Sequence, residues 1–276
     1  MGKLKGKIIN WKNLMKKKVS VIIPHFNLGT KLVNAVDSVL SQSYKNIEVV
    51  IVDDKSTTSN LELCRNIAKL DPYRIKLIEL DVNKGVSNAR NVGIKIASGD
   101  FVTFLDADDQ YSKDKILNEL SLIEDNSRTI AFSNIKFKNE QCVHDCFNRF
   151  NVFQGSIVNK IVTGLMPCPR DILINRNELV NYGTLFNIES NLYEDLEFVI
   201  DLSKNFRFEY TNEVGTIYNV HGGGLSSVSK KKHQDKLREI LREKGMCKSY
   251  YMRRFFEYNL IGKYIRKAIL FLGLFK

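Results

Sequence analysis

The 276-residue sequence lacks any apolar run long enough to cross a bilayer. Its longest, Ala268–Phe275, spans eight residues, where a hydrocarbon core demands roughly 20. No secretory leader is expected, because lysines break up the apolar residues of the N-terminus and leave no h-region or small-residue cleavage site. The five cysteines (Cys64, Cys142, Cys146, Cys168 and Cys247) are odd in number and form no C-x-x-C pair, which excludes a disulfide framework and points to a reducing compartment. Cys142 and Cys146 flank His144, but no second ligand pair accompanies them as structural zinc would require, so they read as loop thiols. There is no internal repeat or low-complexity segment. With 43% hydrophobic and 26% charged residues, the composition is that of a folded protein rather than a disordered one.

Acids are scarce at both ends. Residues 1–18 hold seven lysines and no acid, and residues 230–276 hold fourteen Lys and Arg against four acids, so the ends carry +7 and +10 of a net +11. The body, 19–229, is left at −6. A nucleic-acid enzyme needs its positive charge along a groove through the body, so nucleic acid is excluded as a partner. Basic tails that meet an anionic membrane surface fit the distribution.

What is present begins with Val19–Ile23, a β-branched run stopped by Pro24, as a buried parallel strand would be. Leu32, Val33, Val36, Val39 and Leu40 then fall at helical spacing, and Ile47–Val52 reads as a second buried strand ending in Asp53-Asp54. A helix over about Leu61–Leu70, a strand Ile75–Leu80, a helix over about Val86–Ala97 and a strand Phe101–Leu105 follow. Four strand-then-helix units predict an α/β fold, a Rossmann-like, mainly parallel sheet flanked by helices. Such sheets take ligands at the carboxyl ends of their strands, which is where Asp53, Asp54, Asp106, Asp108 and Asp109 fall. Carboxylates crowded there repel one another unless a cation or a donor-rich ligand offsets them. Beyond residue 125 the pattern loosens, and the stretch through Phe150 carries no assignable period. Ile172–Ile174 reads as a strand, Leu192–Leu202 as a helix, and Phe206–Tyr210 and Gly215–Val220 as separate short β segments.

The most specific motif is Phe101-Val-Thr-Phe-Leu-Asp-Ala-Asp-Asp109, an apolar strand that delivers Asp-x-Asp onto a loop. Alternate residues there can aim two carboxylates at one divalent cation, and hard Mg²⁺ or Mn²⁺ prefers such oxygens alongside substrate phosphates. The same acids would equally suit a turn that caps a helix starting near Lys113. Phosphatases of the haloacid-dehalogenase type also place Asp-x-Asp after an apolar strand, but usually the first strand and with Thr or Val following. Here the strand is the fourth, and Asp109-Gln110 follows.

Five segments in order resemble family 2 glycosyltransferases of the GT-A fold, in a match that runs from about Val19 to Ser227. They are Val21-Ile-Ile-Pro-His-Phe-Asn27; Asp53-Asp-Lys-Ser-Thr-Thr58, with Lys55 where the family commonly has Gly; Asn83-Lys-Gly-Val-Ser-Asn-Ala-Arg-Asn-Val-Gly93; Ala97-Ser-Gly-Asp100; and Phe104-Leu-Asp-Ala-Asp-Asp109. Gly183-Thr-Leu-Phe186, Tyr193-Glu-Asp-Leu-Glu-Phe198 and Val220-His-Gly-Gly-Gly-Leu-Ser-Ser227 resemble later parts of the family pattern.

The resemblance implies inverting transfer of a sugar from a UDP-sugar to an acceptor hydroxyl, in bacterial surface-polysaccharide or lipid-linked glycan synthesis. Pro24 and Phe26 would line the base pocket beside Asn27. Asp53 would accept the imide N–H of uracil, a role that suits an acceptor-only carboxylate, with Asp54 near it. Lys84, Arg90, Asp106 and Ala107 would complete the nucleotide site, Arg90 bracing the aspartate loop and Asp106 lying by the ribose. Asp108, with Asp106 and His221, would hold Mn²⁺ or Mg²⁺ against the diphosphate. Asp195, or Glu194 beside it, would be the general base, although both acids also suit a helix N-terminus on electrostatic grounds alone.

The implied organisation is a basic amphipathic segment 1–18, a GT-A domain 19–229 and a basic amphipathic helical tail 230–276. The GT-A domain divides into a donor half 19–110 and an acceptor half 111–229. Interfacial binding by the tails would place the protein in the cytoplasm, peripherally on the inner face of the cell membrane. A helix packed on the body or on a homodimer partner is the alternative use of the tail. A non-catalytic sugar-nucleotide- or membrane-binding scaffold is the alternative to catalysis, and joint retention of Asp53, Asp106, Asp108 and Asp195 speaks against it.

Overall fold

The computed structural model describes residues 16–123, 128–138, 167–190 and 192–219. It also describes residues 13, 236, 239, 240 and 242–244, and the backbone of Lys3–Leu4, Lys7–Ile8 and Val143–Asp145. Two short strands, β1 (Lys3–Leu4) and β2 (Lys7–Ile8), pair antiparallel with each other. The main sheet opens with β3 (Val19–His25), followed by α1 (Lys31–Leu40), β4 (Ile47–Asp53), α2 (Thr58–Leu70), β5 (Ile75–Glu79), α3 (Val86–Ile96) and β6 (Phe101–Phe104). The second half adds β7 (Gln110–Tyr111), α4 (Lys115–Leu120), β8 (Thr129–Lys138), β9 (Val143–Asp145) and a 3₁₀ turn at Pro169–Asp171. It ends with β10 (Ile172–Asn175), α5 (Arg176–Asn181), α6 (Glu194–Asn205) and β11 (Arg207–Asn219).

The strand order is β5-β4-β3-β6-β10-β8-β11-β7, with β9 paired to β8. β5, β4, β3 and β6 run parallel, joined by the helical crossovers that parallel pairing requires. Beyond β6 the direction changes. β10 is antiparallel to both β6 and β8, β11 is parallel to β8, and β7 is antiparallel to β11. The sheet is therefore mixed, with the expected parallel character largely in β5, β4, β3 and β6.

The continuous apolar strands are explained by burial on both faces. Side chains alternate across a strand, so β3 sends Val19, Val21 and Ile23 to one face and Ile22 to the other, while β4 separates Val49 and Ile51 from Val50 and Val52. The first face meets Leu32, Ala35, Val36 and Val39 of α1 and Cys64 and Ile67 of α2. The second meets Ala89 and Ile94 of α3 and Phe198, Val199, Ile200 and Leu202 of α6.

Pro24 does not stop its strand. Ile22 O accepts from Leu105 N (3.0 Å) on the β6 side and His25 O accepts from Asp54 N (2.8 Å) on the β4 side. The N–H that proline lacks therefore falls on the β6 side, where pairing has already ended at Ile22. Two further expectations change. The unassigned stretch contains β8, and the two short segments after residue 205 are one strand, β11, whose register on β8 shifts between Tyr210 and Thr216.

Of the basic tail, Ile240 is buried in the second-face core. Lys244 pairs with Asp201 and lies 3.9 Å from Glu197, both on α6. Apart from Lys236, Glu239, Arg242 and Glu243, the rest of the tail, most of segment 1–18 and the Cys142–Cys146 side chains lie outside the described residues. Among the described residues no helix is long and apolar enough to cross a membrane.

Candidate active site

The carboxyl ends of β3, β4 and β6 open on a cavity of about 350 Å³, within the roughly 300–1,000 Å³ common for small-molecule sites. Pro24, His25, Phe26 and Leu28 form one wall. Val86, Ala89 and Arg90 of α3 form another, and Asp106, Ala107, Asp108, Glu194 and Asp195 form the side beneath α6. Asp54 also lines it, so among the described residues five carboxylates line this cavity against one cation, Arg90.

Arg90 organises the acidic side. Its side chain is 4% exposed, and it donates from Nη2 to Asp106 Oδ1 at 2.8 Å and from Nη1 to Asp195 Oδ1 at 2.7 Å. The Phe186 ring lies 5.1 Å away against its guanidinium, and Phe186 stacks in turn on Phe198 of α6. Burial would lower the pKa of Arg90, but the charges of Asp195 and Asp106 outweigh it and keep the group ionised. One planar fork thus fixes two carboxylates from distant parts of the chain, a geometry that lysine cannot reproduce.

Asp106 is gripped twice, because Arg170 Nη1 also reaches its Oδ2 at 3.4 Å. Burial opposes ionisation of Asp106, yet Arg90 and then Arg170 hold its carboxyl below the usual range. Arg170 stands 4.5 Å from the Tyr218 ring centroid and is shared with Asp109 (3.7 Å) and Asp171 (3.8 Å). One guanidinium cannot offset three acids. Asp109 is pushed up to about 8 by burial and then by Asp106, and burial pushes Asp171 to about 6. Asp109 Oδ1 accepts from Asn219 N (3.0 Å), and Asn219 Nδ2 donates to Asp108 O (2.7 Å). The aspartate loop is thereby tied to the end of β11. Arg170 and Asn219 were missed from sequence because they lie in the half without a regular period.

Asp195 and Glu194 open α6 behind Tyr193, which holds φ +66. Burial, then the charge of Asp195, raises the Glu194 pKa.

At the opposite end, Phe26 is 47% exposed. Asp54 accepts from Lys84 N (2.9 Å) and Gly85 N (2.7 Å) and so anchors the turn into α3. Lys84 contributes its backbone there and does not line the cavity. Asn27 acts as a brace: its N–H donates to Ser56 Oγ (3.0 Å) and its Oδ1 accepts from Thr57 N (2.8 Å).

Asp53, expected at the nucleobase, is 1% exposed and does not line the cavity. Odd-numbered residues of β4 share the face of Val49 and Ile51, so its carboxylate turns toward α2 and meets His25 and Cys64. His25, Asp53 and Cys64 offer ligand atoms within 4.8 Å of one another, a potential metal-coordinating cluster by geometry. Its hydrogen bonds favour another use. His25 Nε2 accepts from Leu28 N (3.3 Å), which assigns the ring proton to Nδ1, and Nδ1 donates to Asp53 Oδ1 at 2.9 Å. Burial, then the charge of Asp53, pushes the Cys64 thiol up to about 12, so it stays protonated. His221 lies outside the described residues.

The sequence pattern described as glycosyl transferase family 2 matches residues 20–168. An Escherichia coli protein named UDP-Glc:alpha-D-GlcNAc-diphosphoundecaprenol beta-1,3-glucosyltransferase WfaP is 30% identical over 84% of this chain and 86% of its own. An uncharacterized glycosyltransferase of Haemophilus influenzae is 29% identical over 89% of this chain and 97% of its own. Among solved structures, S. aureus TarS superposes with a TM-score of 0.64 at 24% identity, covering 82% of this chain and 39% of that one. Its 1-349 fragment in complex with UDP-GlcNAc gives a TM-score of 0.62 at 22% identity, covering 87% of this chain and 71% of that one. The structural likeness establishes a shared GT-A-type fold.

Proposed function

The chain belongs to glycosyl transferase family 2 and is a glycosyltransferase, and from that premise we propose that it moves a sugar from a UDP-sugar to a hydroxyl of a glycan or lipid-linked acceptor by one inverting displacement. The observation that carries the reading is the grip of Arg90 on both Asp106 and Asp195 in one cavity. It couples the aspartate loop, which would meet the donor, to the carboxylate that would meet the acceptor. The donor class is supported by the name of the E. coli relative and by the UDP-GlcNAc complex of TarS. Surface-glycan synthesis is supported by the diphosphoundecaprenol acceptor in that relative's name.

In this reading Pro24 and Phe26 pack on the base, and the turn that Asp54 holds shapes the floor. The acceptor oxygen attacks the anomeric carbon as its bond to the diphosphate breaks, and the hydroxyl proton passes to Asp195, with Glu194 the second candidate. One displacement inverts the anomeric centre.

A cavity wall with five carboxylates against Arg90 repels a diphosphate unless further positive charge enters with it. Its oxygen-only donor set, Asp108 with Asp106, fits Mn²⁺ or Mg²⁺. Asp108 is the principal ligand in this assignment, with Asp106, whose oxygens also face Arg90 and Arg170, and His221 as further candidates. When bound, the cation would supply Lewis-acid neutralisation of the departing nucleotide diphosphate. The acidic body with basic ends supports docking of the tails on an anionic membrane surface at the cytoplasmic face.

The test is a screen of UDP-sugars against lipid-linked and glycan acceptors with Mn²⁺ or Mg²⁺, following UDP release and the product anomer by NMR. An inverted product supports the proposal. A retained configuration, or equal use of sugars carried on other nucleotides, contradicts it.

A further inference from the structure

We infer that Asp53 serves the donor site as a positioning residue acting through His25, setting the loop that carries Phe26, and does not itself touch the nucleobase. The inference rests on the proposal of a UDP-sugar donor and changes how its base pocket is built. Residues 25–29 and 53–60 are tied by two sets of bonds. In the first, Asp53 Oδ1 accepts from His25 Nδ1 (2.9 Å), Asp53 Oδ2 accepts from Ser56 N (3.0 Å), and His25 Nε2 accepts from Leu28 N (3.3 Å). In the second, Asn27 bridges to Ser56 and Thr57 as described, and Asn60 Oδ1 accepts from Gly29 N at 2.8 Å.

Each tie compensates a specific cost. Asn27 holds φ +53 and Gly29 φ +57, so the loop passes twice through left-handed backbone, and a non-glycine residue keeps that conformation only when its surroundings impose it. The buried His25 ring is the centre of the imposition, because its Nε2 caps the Leu28 amide within its own loop. That requires the Nδ1–H tautomer, and a buried carboxylate at Nδ1 selects it. With Asp53 removed, the ring can rotate or change tautomer, Leu28 N loses its acceptor, and Phe26 and Leu28 lose their fixed place on the cavity wall.

The two roles of Asp53 make opposite predictions. A carboxylate that accepts the imide N–H of uracil discriminates uracil from cytosine, whose N3 is itself an acceptor, so Asp53→Asn would shift preference from UDP toward CDP. A positioning residue weakens both nucleotides alike, by about tenfold, the worth of one hydrogen bond to a charged group.

The experiment uses the full-length protein with wild type, Asp53→Asn, His25→Ala, His25→Asn and the Asp53→Asn/His25→Ala double variant. UDP and CDP affinities are measured by calorimetry, and amide exchange of residues 26–29 is measured by mass spectrometry without nucleotide. The expected result is equal weakening of UDP and CDP and faster loop exchange in Asp53→Asn and His25→Ala, with β4 still protected. The double variant should be no worse than His25→Ala. His25→Asn, which keeps a donor toward Asp53, should recover part of the protection. A switch toward CDP with unchanged loop exchange would overturn the inference, as would additive effects in the double variant. If the wild type binds neither nucleotide, the donor proposal fails, and the exchange data still decide whether Asp53 acts on the loop.

Discussion

Replacing Arg90 by methionine keeps the length of the side chain and removes the charge that Asp106 and Asp195 share. Removing one partner from a buried ion pair costs about 3–5 kcal/mol. The two carboxylates are 26% and 29% exposed and Asp106 retains Arg170 at 3.4 Å, so water and Arg170 offset part of the loss and about 2–3 kcal/mol remains. For a chain of this size that corresponds to a fall in Tm of roughly 3–6 °C. The pH dependence follows from Asp106, whose folded pKa is depressed mainly by Arg90. A depressed carboxylate stabilises the fold above its unfolded pKa, about 3.9, and that stability disappears as pH falls through the lower folded value. The gap between wild type and Arg90→Met should therefore be full above about pH 5 and narrow below about pH 4. Urea titrations of both proteins from pH 3 to pH 8 measure it. In the same variant kcat should fall about a hundredfold, because Asp195 loses its orientation. A variant within about 0.5 kcal/mol of wild type at pH 7, the scatter of ordinary surface substitutions, or a gap independent of pH, refutes the bridging role of Arg90.

Asp109 and Asp171 act in the opposite sense, since their folded pKa values lie above the unfolded ones, at about 8 and about 6. Their stabilising contribution is complete below the unfolded pKa and is lost as pH rises through the folded values, so thermal stability should decline from pH 5 to pH 8, and Asp109→Asn should flatten that slope in a Tm series. At Gly93 an added Cβ would overlap Ile22 Cγ2 where α3 crosses β3. Gly93→Ala should cost about 1–3 kcal/mol by overpacking, and the Gly93→Ala/Ile22→Ala double variant should lose less than the sum of the two single losses, as urea unfolding of the three variants would show. Lys55 holds φ +66, which explains why the family commonly has Gly there. A β-branched residue suffers most in that region, so Lys55→Val should be about 1–2 kcal/mol less stable than Lys55→Gly in the same assay.

The first half of the chain was legible in the sequence because β3, β4 and β6 are buried throughout and its helices repeat at 3.6 residues, so period and punctuation agree. In β8, Ser133 and Asn134 are buried polar residues, and they break the apolar run that would have marked it. β11 was divided at the place where its register shifts and where Gly215 packs against Ser133 with no room for a Cβ. The aspartates were found by their place at strand ends, but a strand end alone does not show which of two neighbouring acids faces the cavity. The parity of β4 carried that information: Asp53 shares the Val49 and Ile51 face, which α2 covers, whereas Asp54 lies one residue beyond the strand and lines the cavity. Arg170 follows Cys168-Pro169 in a stretch without period, and apart from the adjacent Asp171 its acidic partners, Asp106 and Asp109, reach it only through the tertiary fold.

The central claim, that Asp195 takes the acceptor proton, is tested most directly by Asp195→Asn. The substitution keeps the size of the side chain and an oxygen for Arg90 but removes the basicity. Single-turnover transfer and UDP affinity should be measured on the same protein. The account predicts a rate lowered about 10²- to 10⁴-fold with UDP affinity within about threefold of wild type. Transfer at near wild-type rate would contradict it, as would a loss of rate explained wholly by lost UDP binding.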